Sequence, residues 1–346
     1  VTAEITVSDQ LAAFDTPINA VAFWTHPKIP FNGLALVATD KALVALNIED
    51  GAEVARIDGI AAKGVSVAYT GYGADAWGYA AVETGGQSAA IALYAIDNVS
   101  RTLTPVAMTP IPVASGDRGF CIGRDEAGKG LLLHIMRADG WSTIPIAIAS
   151  DGASVGGRKS AAFGGGLLSC AADDLDTSFF ATAPGGAVVH VDKNGVAGGA
   201  PFARTPMSAP AGLGIVLNGL IEGGPTDECC GEALVLDGET GGVYVFDHDD
   251  GKPLGLVTIK ASFDVDGVAK ATAIGVGTGN FGGVYRDGVV AIGTAGEKPA
   301  VRLVPVNSVL DALGVKFGEA ADRRMLNPHD EEETGFPINI PPPQHP

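Results

Sequence analysis

Few residues in this chain stand at a spacing that chemistry requires. Asp264-Val265-Asp266-Gly267 puts two aspartates on alternate positions, a partial match to a calcium loop, in which such oxygens converge on one hard cation. The full loop needs a third aspartate before the glycine, and an ordinary β-turn accounts for the stretch. Asp173-Asp174-Leu175-Asp176 and Asp247-His248-Asp249-Asp250 are also acidic clusters, and each reads as a polar turn between strands. The histidines are His26, His134, His190, His248, His329 and His345, and no two stand at metal-ligand spacing. Asp117-Arg118 offers a guanidinium able to hold an anion. No Gly-x-Ser-x-Gly nucleophile elbow, phosphate-binding P-loop or dinucleotide fingerprint occurs. Gly275-x-Gly277-x-Gly279 follows a strand pattern but opens no helix, so it reads as backbone.

The cysteines are Cys121, Cys170, Cys229 and Cys230. The chain begins with Val1, which suggests a mature product after removal of a leader. An even cysteine count in an exported chain favours disulfides, and the expected location is secreted, periplasmic or cell surface. One pairing joins Cys121 to Cys170 and links Cys229 to Cys230 as a vicinal bridge; spacing leaves the others open. Zinc binding is disfavoured, because no Cys-x-x-Cys pair occurs.

The formal net charge is -18 and the pI about 4.6. Such a surface repels phosphate backbones and anionic lipid, which argues against nucleic-acid and simple membrane-surface binding. It favours divalent cations and basic partners, although solubility alone explains it. No apolar run reaches the roughly 18 residues that a membrane span needs.

The elements that must position these groups are strands. Apolar residues make up 46% of the chain but aromatics only 6%, and there are 49 glycines, which suits many short strands joined by tight turns. Strand patterns recur at 34–38, 42–48, 91–96, 131–136, 187–191, 233–236, 243–247 and 289–292. Turns are read at Asp192-Lys193-Asn194-Gly195, across 237–242, and at Asp249-Asp250-Gly251-Lys252. Helical periodicity is best over 306–314, with Asn307 or Ser308 as N-cap and Gly314 as the stop. Two regions follow: an all-β domain over 1–324, and a tail over 325–346 that is acidic at Asn327–Glu333 and proline-rich from Pro337 onward.

Trp24-Thr25-His26-Pro27, Leu93–Asp97, Gly119-Phe120, Ala171–Asp174, Gly275–Gly279 and Val304-Pro305-Val306 occur in an order that resembles the β-propeller phytases, from about Phe14 to Pro328. The resemblance implies an all-β, six-bladed propeller of four-stranded antiparallel blades, with one short helix near the C-terminus. In that family, carboxylates on the pore face hold several calcium ions that bridge the phosphates of inositol hexakisphosphate, while Lys and Arg hold neighbouring phosphates. Calcium is therefore the one cofactor the resemblance implies.

Motif by motif, those carboxylates are replaced. The family's opening pair of aspartates falls on Asn19-Ala20, and its next acidic strand on Gly64-Val65-Ser66-Val67. Later acidic positions fall on Leu168-Ser169-Cys170, Ala183–Gly186, Pro210–Gly214, Ala269–Thr272 and Gly293-Thr294. A phosphate-contacting arginine becomes Thr84, and a Lys-Glu-Gly triplet becomes Ala138-Asp139-Gly140, which keeps one carboxylate. Lys41 meets a family lysine with a shift of one residue. The candidate ligand-binding residues are thus Lys41, Arg118 and Asp139, and the candidate metal residues Asp264 and Asp266. Two calcium ions about 4 Å apart repel by roughly 17 kcal/mol at an effective dielectric near 20, and converging carboxylates must offset that. The expectation is a protein that has lost calcium-dependent phytate hydrolysis and binds protein partners as an assembly subunit. The alternatives are a phosphoric monoester hydrolase of the phytase type, or a small-molecule or metal binder using the pore.

Overall fold

In the computed structural model, which describes residues 1–86, 88–218, 230–316 and 321–326, strands gather into six separate sheets. Their inner strands are Ile18–Trp24, Ala62–Thr70, Asp117–Arg124, Ser169–Asp173, Gly212–Asn218 and Ala271–Gly277. Each packs against the next, and the last against the first, so the sheets are the blades of a closed six-bladed propeller. Within each blade the chain meanders outward through antiparallel pairs.

The ring closes through the N-terminus. Asp9–Ala13 pairs antiparallel with Ala300–Pro305 and supplies the outer strand of blade 6. Thr2–Thr6 adds a fifth strand to blade 5, parallel to Pro253–Lys260, beyond the expected four. The outer strands of blades 2 and 3 are each broken in two. Leu103–Pro105 and Ile111–Pro112 pair with the two ends of Ala90–Ile96. Gly152–Val155 and Lys159–Ala162 do the same along Gly140–Ala149. Pro105, Pro110 and Pro112 explain the first break, since proline cannot donate to a ladder and is tolerated only at an edge.

Six apolar clusters fill the seams between neighbouring blades. Every middle strand is therefore covered on both faces, which is why Leu34–Thr39 and Ala42–Asn47 are buried at every position instead of alternating. The seams are built mainly from Val, Ile, Leu and Ala, with aromatics such as Trp24, Tyr69, Phe179, Phe180, Phe246 and Phe281 spread among them. Burying each large aliphatic side chain contributes about 1.5–3 kcal/mol.

Turns follow the chemistry of their aspartates. Asp247 Oδ1 accepts the Asp249 amide at 2.9 Å, and Asp192 Oδ1 accepts the Asn194 amide at 2.9 Å. His26 orders the bottom loop of blade 1 by accepting the Lys28 and Ile29 amides on Nδ1, at 3.1 and 3.0 Å. The helix runs Val306–Ala312, and its N-cap position is Pro305 with no side-chain cap. The expected caps Asn307 and Ser308 instead lie inside its first turn, because the strand enters the helix without a polar break. Gly314, at φ 72°, ends it as expected.

Cys121 and Cys170 form a disulfide that ties the inner strand of blade 3 to that of blade 4. The expected Cys229–Cys230 bridge lies outside the described residues, as does the tail beyond Leu326. No helix among the described residues is long and apolar enough to cross a membrane.

Candidate functional site

The six inner strands surround an axial cavity of about 310 Å³, and all six contribute to its wall. Small residues draw the strands close. A Cβ on Gly214 would sit 2.2 Å from Val276 Cγ2, and one on Gly275 would sit 2.5 Å from the Val21 carbonyl oxygen. The ring therefore narrows to a channel whose wall is mostly backbone, Ala, Gly and Val, with Ser66 and Ser169 as its hydroxyls.

The wide end lies where the inner strands begin. There Asn19 Nδ2 donates to Asp40 Oδ1 at 2.9 Å and to the Ala62 carbonyl at 2.8 Å, and the Lys63 ammonium pairs with the same Asp40. Arg118 is exposed, lines the channel, and has no hydrogen-bond or ion-pair partner among the described residues. Glu83 is the one carboxylate on the lining among the described residues. Burial, and then the Asp117 charge, push its pKa above the ordinary range.

The narrow end is closed by the chain itself. Residues 321–326 cross it and touch all six blades. The Ala321 amide donates to the Leu217 carbonyl at 3.0 Å, and the Gly73 amide to the Arg324 carbonyl at 2.9 Å. Asp322 meets Thr25, and its Cα would lie 3.5 Å from a Cβ on Gly279. Arg124 is buried, donates to the carbonyls of Leu326 at 2.6 Å and Arg323 at 2.5 Å, and packs over the Tyr72 ring at 4.5 Å. Arg323 reaches back into the channel. Its Nε donates to Asp174 Oδ2 at 2.7 Å and its Nη1 to the Val67 carbonyl at 2.9 Å.

A second polar cluster sits in the seam between blades 4 and 5. His248 Nε2 lies 2.6 Å from Asp173 Oδ2, and Nδ1 lies 3.2 Å from Asp249 Oδ1. Burial opposes the charged imidazole, but the two aspartates outweigh it and raise the pKa to about 9. Nearby, Glu232 is buried with Oε2 unpartnered. Burial, then the Asp247 charge, lift its pKa to about 8.

The sequence-derived candidates scatter. Arg118 lines the channel; Lys41, Asp139, Asp264 and Asp266 do not. Lys41 pairs with exposed Asp15 at 2.6 Å, and Asp139 with Arg137 at 2.8 Å. Asp264 and Asp266 are exposed on the loop between blades 5 and 6, where Asp266 lies 3.7 Å from Arg302. Among the described residues, no group of three His, Cys, Asp or Glu is arranged to hold a metal, and these two aspartates have no third such group beside them. Several stretches on which the resemblance places acidic positions do face the channel, among them Asn19–Ala22, Gly64–Val67, Leu168–Cys170 and Pro210–Gly214. What they present there does not fit clustered calcium. Sequence reasoning missed Lys63, Glu83 and Arg323. The usable sign for Arg323 was a pair of adjacent arginines, Arg323-Arg324, in a strongly acidic chain.

No protein-family model matches the chain, and no curated protein matches its sequence. Solved structures do resemble it. A structural-genomics protein of unknown function from Bacteroides thetaiotaomicron matches with TM-score 0.51 and 13% identity, over 87% of this chain and 75% of that one. BBS1N, solved in complex with ARL6DN, matches with TM-score 0.49 and 9% identity, over 87% and 97%. Hsv2 from Kluyvelomyces marxianus matches with TM-score 0.39 and 12% identity, over 80% and 73%. Such low identities bear on architecture and not on activity. What is shown is a six-bladed β-propeller.

Proposed function

We propose that this protein is an exported, phytase-like propeller that has lost calcium-dependent phytate hydrolysis and serves as a binding or assembly subunit in an extracellular or cell-surface complex. One observation carries the reading: among the described residues Glu83 is the only carboxylate on the channel wall, where clustered dications would need many. The Cys121–Cys170 bridge supports an oxidising compartment. Partner binding is supported by exposed apolar side chains on the loops of the plugged face. Ile29, Phe31, Trp77, Val99, Val284 and Met325 all stand there, and Phe31 packs against the Gly282 backbone of the neighbouring blade. Exposed large apolar groups gathered on one face mark interaction surfaces.

The test is phosphate release from phytate, with and without calcium. The proposed subunit releases none above a no-protein control. Calcium-dependent turnover would establish the alternative, a phosphoric monoester hydrolase acting on inositol phosphates. Lys63 and Arg118 would then be the residues to hold its substrate's phosphates.

A further inference from the structure

The channel carries a charge pattern opposite to that of the whole molecule. In a chain of net charge -18, its described lining holds Lys63, Arg118 and Arg323 against the carboxylate Glu83, with Lys63 and Arg323 paired behind the wall to Asp40 and Asp174 and Arg118 left unpaired among the described residues. The floor keeps an excess of one positive charge. Arg124, Arg323 and Arg324 gather there, whereas the carboxylates paired with them are Asp174 and Asp322. Arg323 is held rigidly by Asp174 and the Val67 carbonyl through Nε and Nη1, and its Nη2 makes no hydrogen bond among the described residues. A guanidinium oriented by a carboxylate behind it, with a donor left over, is a preorganised acceptor for an anion. Between floor and mouth the wall mixes Ala, Val, Leu and Ile side chains with backbone polar groups and the Ser66 and Ser169 hydroxyls, so a short hydrocarbon body meets apolar side chains there along part of its length. The volume, about 310 Å³, lies at the low end of small-molecule sites, roughly 300–1,000 Å³.

We infer that the axial channel is a binding site for a small organic carboxylate, which enters at the wide end, sets its charged end on Arg323, and leaves its apolar body against the Ala, Gly and Val wall. A monoanion is favoured over a phosphate dianion, because the floor's excess is one charge. Arg118, unpartnered at the mouth, steers the anion inward. This site does not rest on the assembly reading, since the channel is occupied or empty whether or not the outer face docks a partner.

Octanoate, octanol and inorganic phosphate are the probes, read by calorimetric titration of the whole protein at low salt. Octanoate is expected to bind, with octanol and phosphate each at least roughly tenfold weaker. Arg323→Gln is expected to weaken octanoate roughly tenfold or more. Arg118→Ala removes no internal contact and is expected to weaken it severalfold, and less so as salt is raised. If Arg323→Gln does not fold, Arg118→Ala and the octanol comparison still decide. The inference is overturned if octanoate does not bind, if octanol or phosphate binds equally well, or if both variants retain full affinity.

Discussion

Arg323, from the last described stretch of the chain, donates through Nε to Asp174 Oδ2 at 2.7 Å, across 149 residues of sequence, and so locks the C-terminal plug into blade 4. Asp174 also accepts the Arg124 amide on Oδ1 at 3.2 Å, and its side chain is 0% exposed. Removing one partner of a buried ion pair strands the other charge. Asp174→Asn should therefore destabilise the protein by about 3 kcal/mol in urea unfolding. A change within experimental error would mean that the pair is solvated and the plug loose.

The plug itself can be separated from the tail. A chain ending at Leu326 keeps the contacts that residues 321–326 make with the blades. A chain ending at residue 320 should melt well below it, since Arg124 loses two carbonyl acceptors and Asp174 its arginine. Equal melting of the two would show that residues 321–326 add nothing to the ring.

The Cys121–Cys170 bridge closes a loop with sequence separation 49, worth about 4 kcal/mol on the chain-entropy account. Cys121→Ser with Cys170→Ser should lose stability of that order in urea without loss of strand content by circular dichroism. A double variant as stable as the parent would contradict this.

The all-β class was legible in the sequence because its cause is local: short apolar runs of Val, Ile, Leu and Ala, punctuated by Asp and Gly at turns such as Asp192–Gly195 and Asp247–Gly251, whereas the six-bladed ring was implied only by the family resemblance. The disulfide was legible as one pairing among several. The channel floor was not, because Arg323 meets Asp174 only after ring closure brings residues far apart in sequence together. Nor was the fifth strand of blade 5, since Thr2–Thr6 carries no mark of its parallel partner Pro253–Lys260. Lys41 and Asp139 were chosen by correspondence of position, and each forms an ion pair away from the channel, Lys41 with Asp15 and Asp139 with Arg137.

The seam between blades 4 and 5 should give the fold a pH dependence. Glu232 has its pKa raised from 4.5 to about 8, so the folded state holds a proton that the unfolded state releases. His248 is raised from 6.5 to about 9, with the same sign. Both contributions are fully present below the unfolded values and are lost as pH rises through about 8 and about 9. Glu232→Gln removes the first, so the fall in melting temperature from pH 5 to pH 8 should be shallower than in the parent. An unchanged slope would mean that Glu232 ionises normally.

Calcium titration of the purified protein by calorimetry, in dilute buffer free of other divalent ions, probes the channel wall most directly. With Glu83 the one carboxylate there among the described residues, no set of strong sites should appear, and the melting temperature should be the same in calcium and in chelator. Two or more sites of roughly ten-micromolar affinity or tighter, accompanied by a rise in melting temperature, would contradict it.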